Sequence, residues 1–236
     1  MKIALFGHGK MGQLIEKLAH DAGHEVVLIV DEKNRASLMA TDLKAAQVAI
    51  EFTTPEAAPA NIRLCADAGL PVVVGTTGWY QHFDDLTAYV QQKGGALLPA
   101  TNFSLGVNLF FALAEKMGAL MQNHAQYKAR IEETHHVHKK DAPSGTAITA
   151  AERLLGQWKH ALDWSLNGEK PNTLPILAHR QDEVPGTHEI IFSNEIDEIK
   201  LTHTAFNRDG FALGALFAAE WIQGKQGVFG MRDVLG

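Results

Sequence analysis

The chain has almost no cysteine, no excess of basic residues and no long apolar run. Its single cysteine, Cys65, cannot form an internal disulfide, so the fold does not need an oxidising compartment. The 236 residues carry a net charge of −6, whereas a protein that binds nucleic-acid phosphates needs an excess of clustered Lys and Arg. The apolar run after Met1 is too short for a signal peptide, and no uncharged stretch is long enough to span a bilayer. We therefore expect a cytoplasmic protein without nucleic-acid or membrane partners.

The composition is typical of a globular protein with a substantial core. Hydrophobic residues make up 46% of the chain and charged residues 20%, which excludes disorder as the main state. At about 100–200 residues per domain, the length allows one large domain or two small ones.

The first hundred residues alternate short apolar strands with helices. Strands are predicted at residues 2–6, 25–30, 48–52, 71–74 and 96–99, with helices at 55–68 and 79–93 and after the glycines that follow the first strand. Strands that are apolar almost throughout are typical of a parallel sheet covered on both faces. The pattern therefore predicts an α/β fold with a Rossmann-type doubly wound parallel sheet.

The pattern changes near Thr101. A long helix at 106–121 precedes strand-like stretches at 127–134, 187–192 and 198–204 and a helix that begins near Ser144, which indicates a smaller α+β domain. Residues 159–175 are predicted to be the loosest surface connection. The tail from Asp209 has the spacing of an amphipathic helix, and we expect it to return to the first domain. The predicted domains are 1–104 with 209–236, and 105–208.

A glycine turn follows the first strand and begins the first helix. Its spacing, Gly7-x-Gly9-x-x-Gly12, is that of the dinucleotide-binding fingerprint, whose glycines allow a tight turn, close approach of the pyrophosphate and packing of the helix on the strand. Asp31 follows the second strand about 20 residues later, where a carboxylate can accept hydrogen bonds from ribose hydroxyls. The alternative, a glycine-rich turn that holds no ligand, does not account for an acidic residue at this spacing.

The same region bears on the choice of cofactor. A carboxylate at Asp31 would repel a 2′-phosphate and so favours NADH, while Lys10 and Lys33 leave NADPH as an alternative. Two further turns, at 75–78 and 100–103, follow later strands, and ligands bind at the carboxyl edge of an open parallel sheet. The predicted cofactor-binding residues are Gly7, His8, Gly9, Lys10, Met11, Gly12, Asp31, Gly75, Thr76, Thr77, Ala100, Thr101, Asn102 and Phe103.

The densest chemical signal is the segment 133–147, which combines basic side chains with the start of a helix. The basic side chains are those of His135, His136, His138, Lys139 and Lys140. Ser144 is expected to cap the helix, and Gly145 and Thr146 to offer free backbone amides. Such a cationic site in an acidic protein attracts a small polyanion such as a dicarboxylate.

Two other interpretations of this segment are a solvated basic loop without function and a metal site. The metal ligands would be His135, His136 and His138. Neighbouring histidines of a strand point to opposite faces, no cysteine is near, and Lys139 and Lys140 would oppose a dication. We therefore predict no bound metal.

Several blocks of the sequence resemble the bacterial dihydrodipicolinate reductases, also called 4-hydroxy-tetrahydrodipicolinate reductases, of the diaminopimelate and lysine pathway. The blocks are residues 7–12, 51–55, 75–78, 102–108, 135–147 and 211–215, and they span nearly the whole chain in the family's order. The most specific of them is His-His-x-x-Lys-x-Asp-x-Pro-Ser-Gly-Thr-Ala, which is intact at 135–147. Glu51 stands where the family often has Asp, and the chain is short for the family.

The resemblance implies a nucleotide domain completed by the C-terminal helix and a central substrate domain whose sheet builds a homotetramer. It implies reduction of 4-hydroxy-tetrahydrodipicolinate, a small cyclic dicarboxylate, to tetrahydrodipicolinate by NADH or NADPH. Carried over by position, His135 is the acid–base residue and Lys139 the proton donor. The substrate-binding residues implied in the same way are His136, Ser144, Gly145 and Thr146.

The chemistry agrees with these residues independently. Hydride delivered to a conjugated imine leaves negative charge on the ring system, and a nearby proton donor must neutralise it. The sequence does not decide whether His135 or Lys139 gives the proton. Two alternatives are another nicotinamide-dependent reductase of a small anionic imine or carbonyl, and an NAD(H)-binding sensor without catalysis. A sensor would have no reason to keep a proton donor.

Overall fold

The computed structural model describes all 236 residues and divides the chain into two compact units. Unit 1 contains Met1–Leu105 and Asp209–Gly236, and unit 2 contains Gly106–Arg208. The helices of both units are all too short or too polar to cross a membrane.

Eleven strands and seven α-helices make up the regular structure. The strands are β1 (Lys2–Phe6), β2 (Glu25–Val30), β3 (Val48–Glu51), β4 (Val72–Val74), β5 (Ala96–Pro99), β6 (Lys128–His135), β7 (Asp163–Leu166), β8 (Thr173–Arg180), β9 (Gly186–Ser193), β10 (Glu198–Ala205) and β11 (Gly227–Val228). The helices are α1 (Lys10–Asp21), α2 (Ala58–Asp67), α3 (Phe83–Gln92), α4 (Leu105–Met121), α5 (Gly145–Gln157), α6 (Asp209–Trp221) and α7 (Met231–Leu235).

Unit 1 is built on a parallel sheet with the strand order β2-β1-β3-β4-β5-β11. Successive side chains of a strand point to opposite faces, so Ile3 and Leu5 belong to the core that α1 and α6 cover. Ala4 and Phe6 belong to the core under α2 and α3. Both faces of the sheet are thus buried, which confirms the doubly wound fold predicted from the apolar strands.

Helix α6 packs on the same core as β1, closely enough to depend on small side chains. Its buried positions are alanines, Leu216 and Gly214, while the large Leu213 and Phe217 are 48% and 41% exposed. A Cβ atom at Gly214 would lie 1.8 Å from the carbonyl oxygen of Phe103. The sequence predicted the helix, but most of its buried face consists of small side chains, because the backbone of α6 lies in close contact with Phe103; among the large apolar residues, Leu216 is buried whereas Leu213 and Phe217 are partly exposed.

Unit 2 is built on a mixed sheet with the strand order β7-β8-β6-β9-β10. Strands β6, β7 and β8 are parallel to one another, whereas β9 is antiparallel to both β6 and β10. Residues of α4 and α5 form one core with Ile131, Ile176 and Ile190 of the sheet. The smaller domain predicted after residue 100 therefore has the expected α+β character.

The segment 159–175, predicted as the loosest surface connection, contains regular structure that the sequence did not reveal. It contains β7, and β8 begins at Thr173 within it. Pro175 lies inside β8 and pairs in register with Ser165. A proline has no N–H to donate to the sheet, and its presence in a sequence therefore argues against a central strand. Here the pairing of β8 with its parallel neighbours outweighs that preference. The short β11 and α7 were not predicted.

Candidate active site

Unit 1 contains a cavity of about 780 Å³ at the carboxyl ends of β1, β2 and β3. The chain passes from β1 to β2 on one side and then returns to β3 on the other side of β1. Such a reversal of strand order opens a crevice at the carboxyl edge, where doubly wound proteins bind ligands. The lining includes Gly7, Gly9, Asp31, Arg35 and Phe52.

The surroundings of the three fingerprint glycines explain why glycine occupies each position. Gly7 has a φ of +90°, and a Cβ atom there would lie 2.2 Å from the carbonyl oxygen of Phe52. A Cβ at Gly12 would lie 2.1 Å from the carbonyl oxygen of Gly7, so α1 can approach the turn only with glycine. Gly9, the N-cap of α1, faces open space. The turn therefore has the shape that a pyrophosphate needs at a helix N-terminus.

Asp31 and Arg35 bring opposite charges to the same cavity. Asp31 Oδ1 accepts hydrogen bonds from the backbone N–H groups of Lys33 at 2.8 Å and Asn34 at 3.3 Å. The Arg35 guanidinium donates through Nε to Asn61 Oδ1 and through Nη2 to the carbonyl oxygen of Ala60, 3.0 Å away. Arg35 was not among the predicted site residues, and its distance from the glycine turn in sequence gave no signal for it.

Behind the cavity lies Glu51, which is fully buried at the end of β3. Burial raises the pKa of Glu51, and hydrogen bonds from Thr53, Thr76 and Asn61 oppose this only in part. Asn61 Nδ2 lies 3.3 Å from Glu51 Oε1, so Asn61 connects the buried carboxyl to Arg35. A glutamate thus fits where the resembling family often has aspartate.

The remaining predicted cofactor residues surround this region in different ways. His8 lines the cavity, and its Nε2 lies 2.7 Å from Glu16 Oε2; Lys10 is exposed and Met11 half-buried in the first turn of α1. Gly75 leaves room for the Phe52 ring, and the Thr76 hydroxyl accepts a hydrogen bond from the backbone of Thr53.

The last of these residues follow β4 and β5. Thr77 and Thr101 are exposed, Ala100 is half-buried, and Asn102 Oδ1 accepts a hydrogen bond from the N–H of Ser104. Phe103 is 2% exposed within the core, 6.0 Å from the Phe52 ring that lines the cavity. Phe103 therefore reaches the cavity region through Phe52.

Unit 2 places Glu133 and His135 on the buried face of β6. They alternate with exposed or half-buried neighbours, as expected for side chains two residues apart in a strand. Glu133 Oε2 lies 3.3 Å from His135 Nδ1, and Glu133 Oε1 accepts a hydrogen bond from the N–H of Ser144 at 3.0 Å. Burial alone would raise the pKa of Glu133, but hydrogen bonds from His135 and Ser144 lower it to about 2. This carboxyl is therefore ionised at neutral pH.

The loop between β6 and α5 is held to the sheet by Arg180, which is paired in register with His135. Its guanidinium donates to the carbonyl oxygen of Asp141 at 2.6 Å and lies 3.4 Å from both the carbonyl oxygen of Lys139 and the carboxylate of Glu133. Lys139 Nζ contacts the Asp141 carboxylate at 2.8 Å. The histidine–lysine segment is therefore an anchored loop and not a freely solvated one.

The start of α5 leaves backbone amides available. Ser144 is the N-cap, and its hydroxyl accepts the N–H of Ala147 at 3.2 Å. The N–H of Ile148 donates to the carbonyl oxygen of Ser144, which leaves Gly145 and Thr146 to donate to a ligand. The Ser144 hydroxyl itself is buried and bonded within the protein. His136 is half-buried, with its ring 6.2 Å from that of His138.

His188 joins the cluster from β9 and was not predicted. Its Nε2 lies 3.1 Å from Ser144 Oγ and 3.8 Å from Glu133 Oε2. Donor atoms of Glu133, His135 and His188 lie within 4.8 Å of one another, a spacing that a metal ion can bridge. Arg180 and Ser144 both donate to the other oxygen of this carboxylate, Glu133 Oε1, so Glu133 is also part of a hydrogen-bonded network with the loop.

Comparison with known proteins identifies relatives along the entire chain. The family model described as dihydrodipicolinate reductase, N-terminus, matches residues 1–103, and the one described as dihydrodipicolinate reductase, C-terminus, matches residues 106–235. The 4-hydroxy-tetrahydrodipicolinate reductase of Christiangramia forsetii is 43% identical over 100% of this chain and 98% of its own length. That of Thiobacillus denitrificans is 35% identical over the same shares.

A solved structure shows the same fold. The dipicolinate-bound dihydrodipicolinate reductase of Paenisporosarcina sp. TG-14 superposes with a TM-score of 0.81, at 23% identity, and the match covers 98% of this chain and 97% of that one.

The buried His188 predicts a specific loss of stability in acid. Burial, together with the charge of His135, lowers the pKa of His188 to about 3 from 6.5. The unfolded chain therefore binds a proton at higher pH than the folded chain, and stability falls as the pH drops below 6.5, by at most about 1.4 kcal/mol per pH unit. In urea unfolding, the gap in unfolding free energy between wild type and His188→Gln should narrow between pH 6.5 and 4.5. Replacement of the exposed His82 by Gln is the control. If the gap for His188→Gln stays constant, the lowered pKa of His188 does not cause the loss of stability in acid.

Proposed function

Since the chain belongs to the dihydrodipicolinate reductase family, we propose how its two units divide the NAD(P)H-dependent reduction of 4-hydroxy-tetrahydrodipicolinate in diaminopimelate and lysine biosynthesis. Residues 1–104 and 209–236 form the dinucleotide-binding domain, and residues 105–208 form the substrate domain. The observation that carries this division is the intact 135–147 block, anchored by Glu133 and Arg180 beside the free amides of α5.

The substrate domain binds the dicarboxylate through its cationic loop and the start of α5. The amides of Gly145 and Thr146 donate to a substrate carboxylate, and His136 adds a further donor, because a helix N-terminus favours negative charge. Ser144 acts indirectly, by capping the helix that presents these amides. A reduced nicotinamide, when bound, would supply a hydride to the ring, and the 4-hydroxyl group of the substrate would leave as water. Lys139 delivers the proton that balances this exchange, and His135 acts as the acid–base partner.

The cofactor site accepts both forms of the nicotinamide nucleotide. The cradle fits a dinucleotide because Gly7 and Gly12 allow close backbone packing and Gly9 faces open space. Asp31 accepts from the ribose hydroxyls of NADH. The Arg35 guanidinium, already bonded through Nε and Nη2, retains Nη1 for a 2′-phosphate, and Lys33 adds a second positive charge.

Replacing Lys139 by Met tests the role of the proton donor. We expect kcat to fall about 100-fold or more, with little change in KM, because general acid catalysis contributes on the order of 10²–10⁴ in rate. The measurement is NADH and NADPH oxidation at about 340 nm, the absorption band of the reduced nicotinamide. The preceding synthase generates the substrate in place from pyruvate and aspartate semialdehyde.

The neighbouring Lys140→Met is the matched control and should keep wild-type kcat. If Lys139→Met raises KM and leaves kcat unchanged, Lys139 binds substrate and donates no proton. A wild-type protein that binds NADH but oxidises neither cofactor would refute the proposed reaction.

Replacing Arg35 by Ala tests cofactor recognition. We expect kcat/KM for NADPH to fall about 10-fold or more, because a hydrogen bond between charged groups contributes about 1.5–3 kcal/mol. The value for NADH should change by less than about 3-fold, since NADH lacks the phosphate. Arg63→Ala, which removes an arginine held by Asp85 away from the cavity, is the control. Equal losses for both cofactors would show that Arg35 supports the fold of the site and does not select the phosphate.

We also propose that the enzyme assembles as a homotetramer through the sheet of unit 2. Strand β10 is an eight-residue edge strand with Ile199 45% exposed, and Ile196 and Phe206 beyond its ends are 90% and 88% exposed. An uncovered edge with apolar side chains is a ready surface for another chain. Light scattering after size-exclusion chromatography should give the mass of four 25.7 kDa chains. Ile199→Asp should lower the measured mass. A wild-type protein that elutes as a monomer would refute the proposed homotetramer.

A further inference from the structure

We propose that Glu133 is a positioning residue of the reaction, which holds the His135 ring and the Lys139 loop in their working arrangement. The inference rests on the roles proposed above for His135 and Lys139. Glu133 contacts neither substrate nor cofactor in this proposal, and it gains and loses no proton.

Glu133 first contacts the acid–base histidine, His135. Glu133 Oε2 lies 3.3 Å from His135 Nδ1, and the Glu133 side chain is completely buried. The two atoms are within ion-pair distance, and neither has a hydrogen-bond partner elsewhere. Because an ionised carboxylate can accept a hydrogen bond but cannot donate one, the favoured form of the ring is the one whose proton lies on the nitrogen facing Glu133. Glu133 therefore selects the tautomer of His135 in which Nδ1 is protonated and leaves Nε2 to act on a ligand, as carboxylates do for catalytic histidines elsewhere.

The surroundings of the second nitrogen agree with this assignment. A Cβ atom at Gly186, the first residue of β9, would lie 3.0 Å from His135 Nε2. Glycine at this position keeps a side chain away from the nitrogen that the tautomer leaves available. The ring is thus fixed from the Nδ1 side and left unobstructed by residue 186 on the Nε2 side.

Glu133 also contacts the loop between β6 and α5. Glu133 Oε1 accepts the N–H of Ser144 at 3.0 Å and lies 3.4 Å from both terminal nitrogens of Arg180. Arg180 in turn approaches the carbonyl oxygens of Lys139 and Asp141, at 3.4 and 2.6 Å. One buried carboxylate therefore links the acid–base histidine, the backbone that carries the lysine and the helix start that offers the substrate amides.

The test is Glu133→Gln, which keeps the shape of the side chain and replaces one acceptor oxygen by an NH₂ donor. Whichever way the amide turns, this donor faces either His135 Nδ1–H or the N–H groups of Ser144 and Arg180. We expect kcat to fall about 100-fold, because small displacements of catalytic groups have effects of this size, while the Kd for NADH changes less than about 3-fold. Glu132→Gln is the matched control, since Glu132 is the next residue of β6 and pairs with Arg130.

A spectroscopic measurement separates positioning from a loss of fold. In the wild type, the imidazole ¹⁵N shifts of His135 should show a protonated Nδ1 and an unprotonated Nε2 in the neutral ring. In folded Glu133→Gln, the ring should populate both tautomers. Glu133→Asp keeps the charge at a shorter reach, so it should recover part of kcat. If Glu133→Gln fails to fold, Arg180→Lys tests whether Glu133 holds the Lys139 loop through Arg180. Lysine cannot bridge the Glu133 carboxylate and two carbonyl oxygens at the same time.

The outcomes distinguish this inference from the function on which it depends. If His135→Ala remains fully active, the proposed role of His135 is wrong. If His135→Ala is inactive but Glu133→Gln keeps wild-type kcat and the wild-type ¹⁵N pattern, the positioning role of Glu133 is wrong. An unchanged kcat in Arg180→Lys would show that the contacts of Glu133 and Arg180 with the loop do not position Lys139.

Discussion

Removal from water penalises the ionised form of a carboxyl group unless positive charge or hydrogen bonds compensate, and this constraint shapes both units of the structure. Glu51 and Glu133 are both buried at or near the end of a strand, but their surroundings move their pKa values in opposite directions. Glu51 meets the neutral donors Thr53, Thr76 and Asn61, so burial prevails. Glu133 meets His135 and Arg180, so its charge is retained.

The two glutamates organise their sites in correspondingly different ways. The chain of contacts from Glu51 passes through Asn61, whose amide has one end toward the carboxyl and the other toward Arg35 at the cavity. The charge of Glu133 acts directly, because it draws an imidazole, a guanidinium and a backbone amide to one point. The first arrangement sets the orientation of a cation, and the second concentrates several donors around an anion.

Sequence reasoning predicted what depends on local periodicity and turn chemistry. The strands of unit 1, the glycine turn and the cap at Ser144 follow from spacing and from residues whose roles are local. Alternation in β6 was also sufficient to place Glu133 on the same face as His135. Arg180 and His188 were missed because they reach the site from other strands, and only the strand register brings them there. Arg35 lies in the same segment after β2 as Asp31, but its contact with Asn61 of α2 forms only in the folded chain. Strand β8 was missed because it contains Pro175, and proline is disfavoured inside a strand.

The order of the chain has a consequence for its synthesis. The polypeptide leaves unit 1 after Leu105 and returns to it at Asp209. The core on one face of the first sheet, with Ile3 and Leu5, includes alanines of α6, which are translated after all of unit 2. On the ribosome, that face is covered by α1 but lacks α6 until all of unit 2 has been made, so newly made chains expose part of its apolar surface for most of translation. A molecular chaperone that shields this face would have a binding site for just that interval.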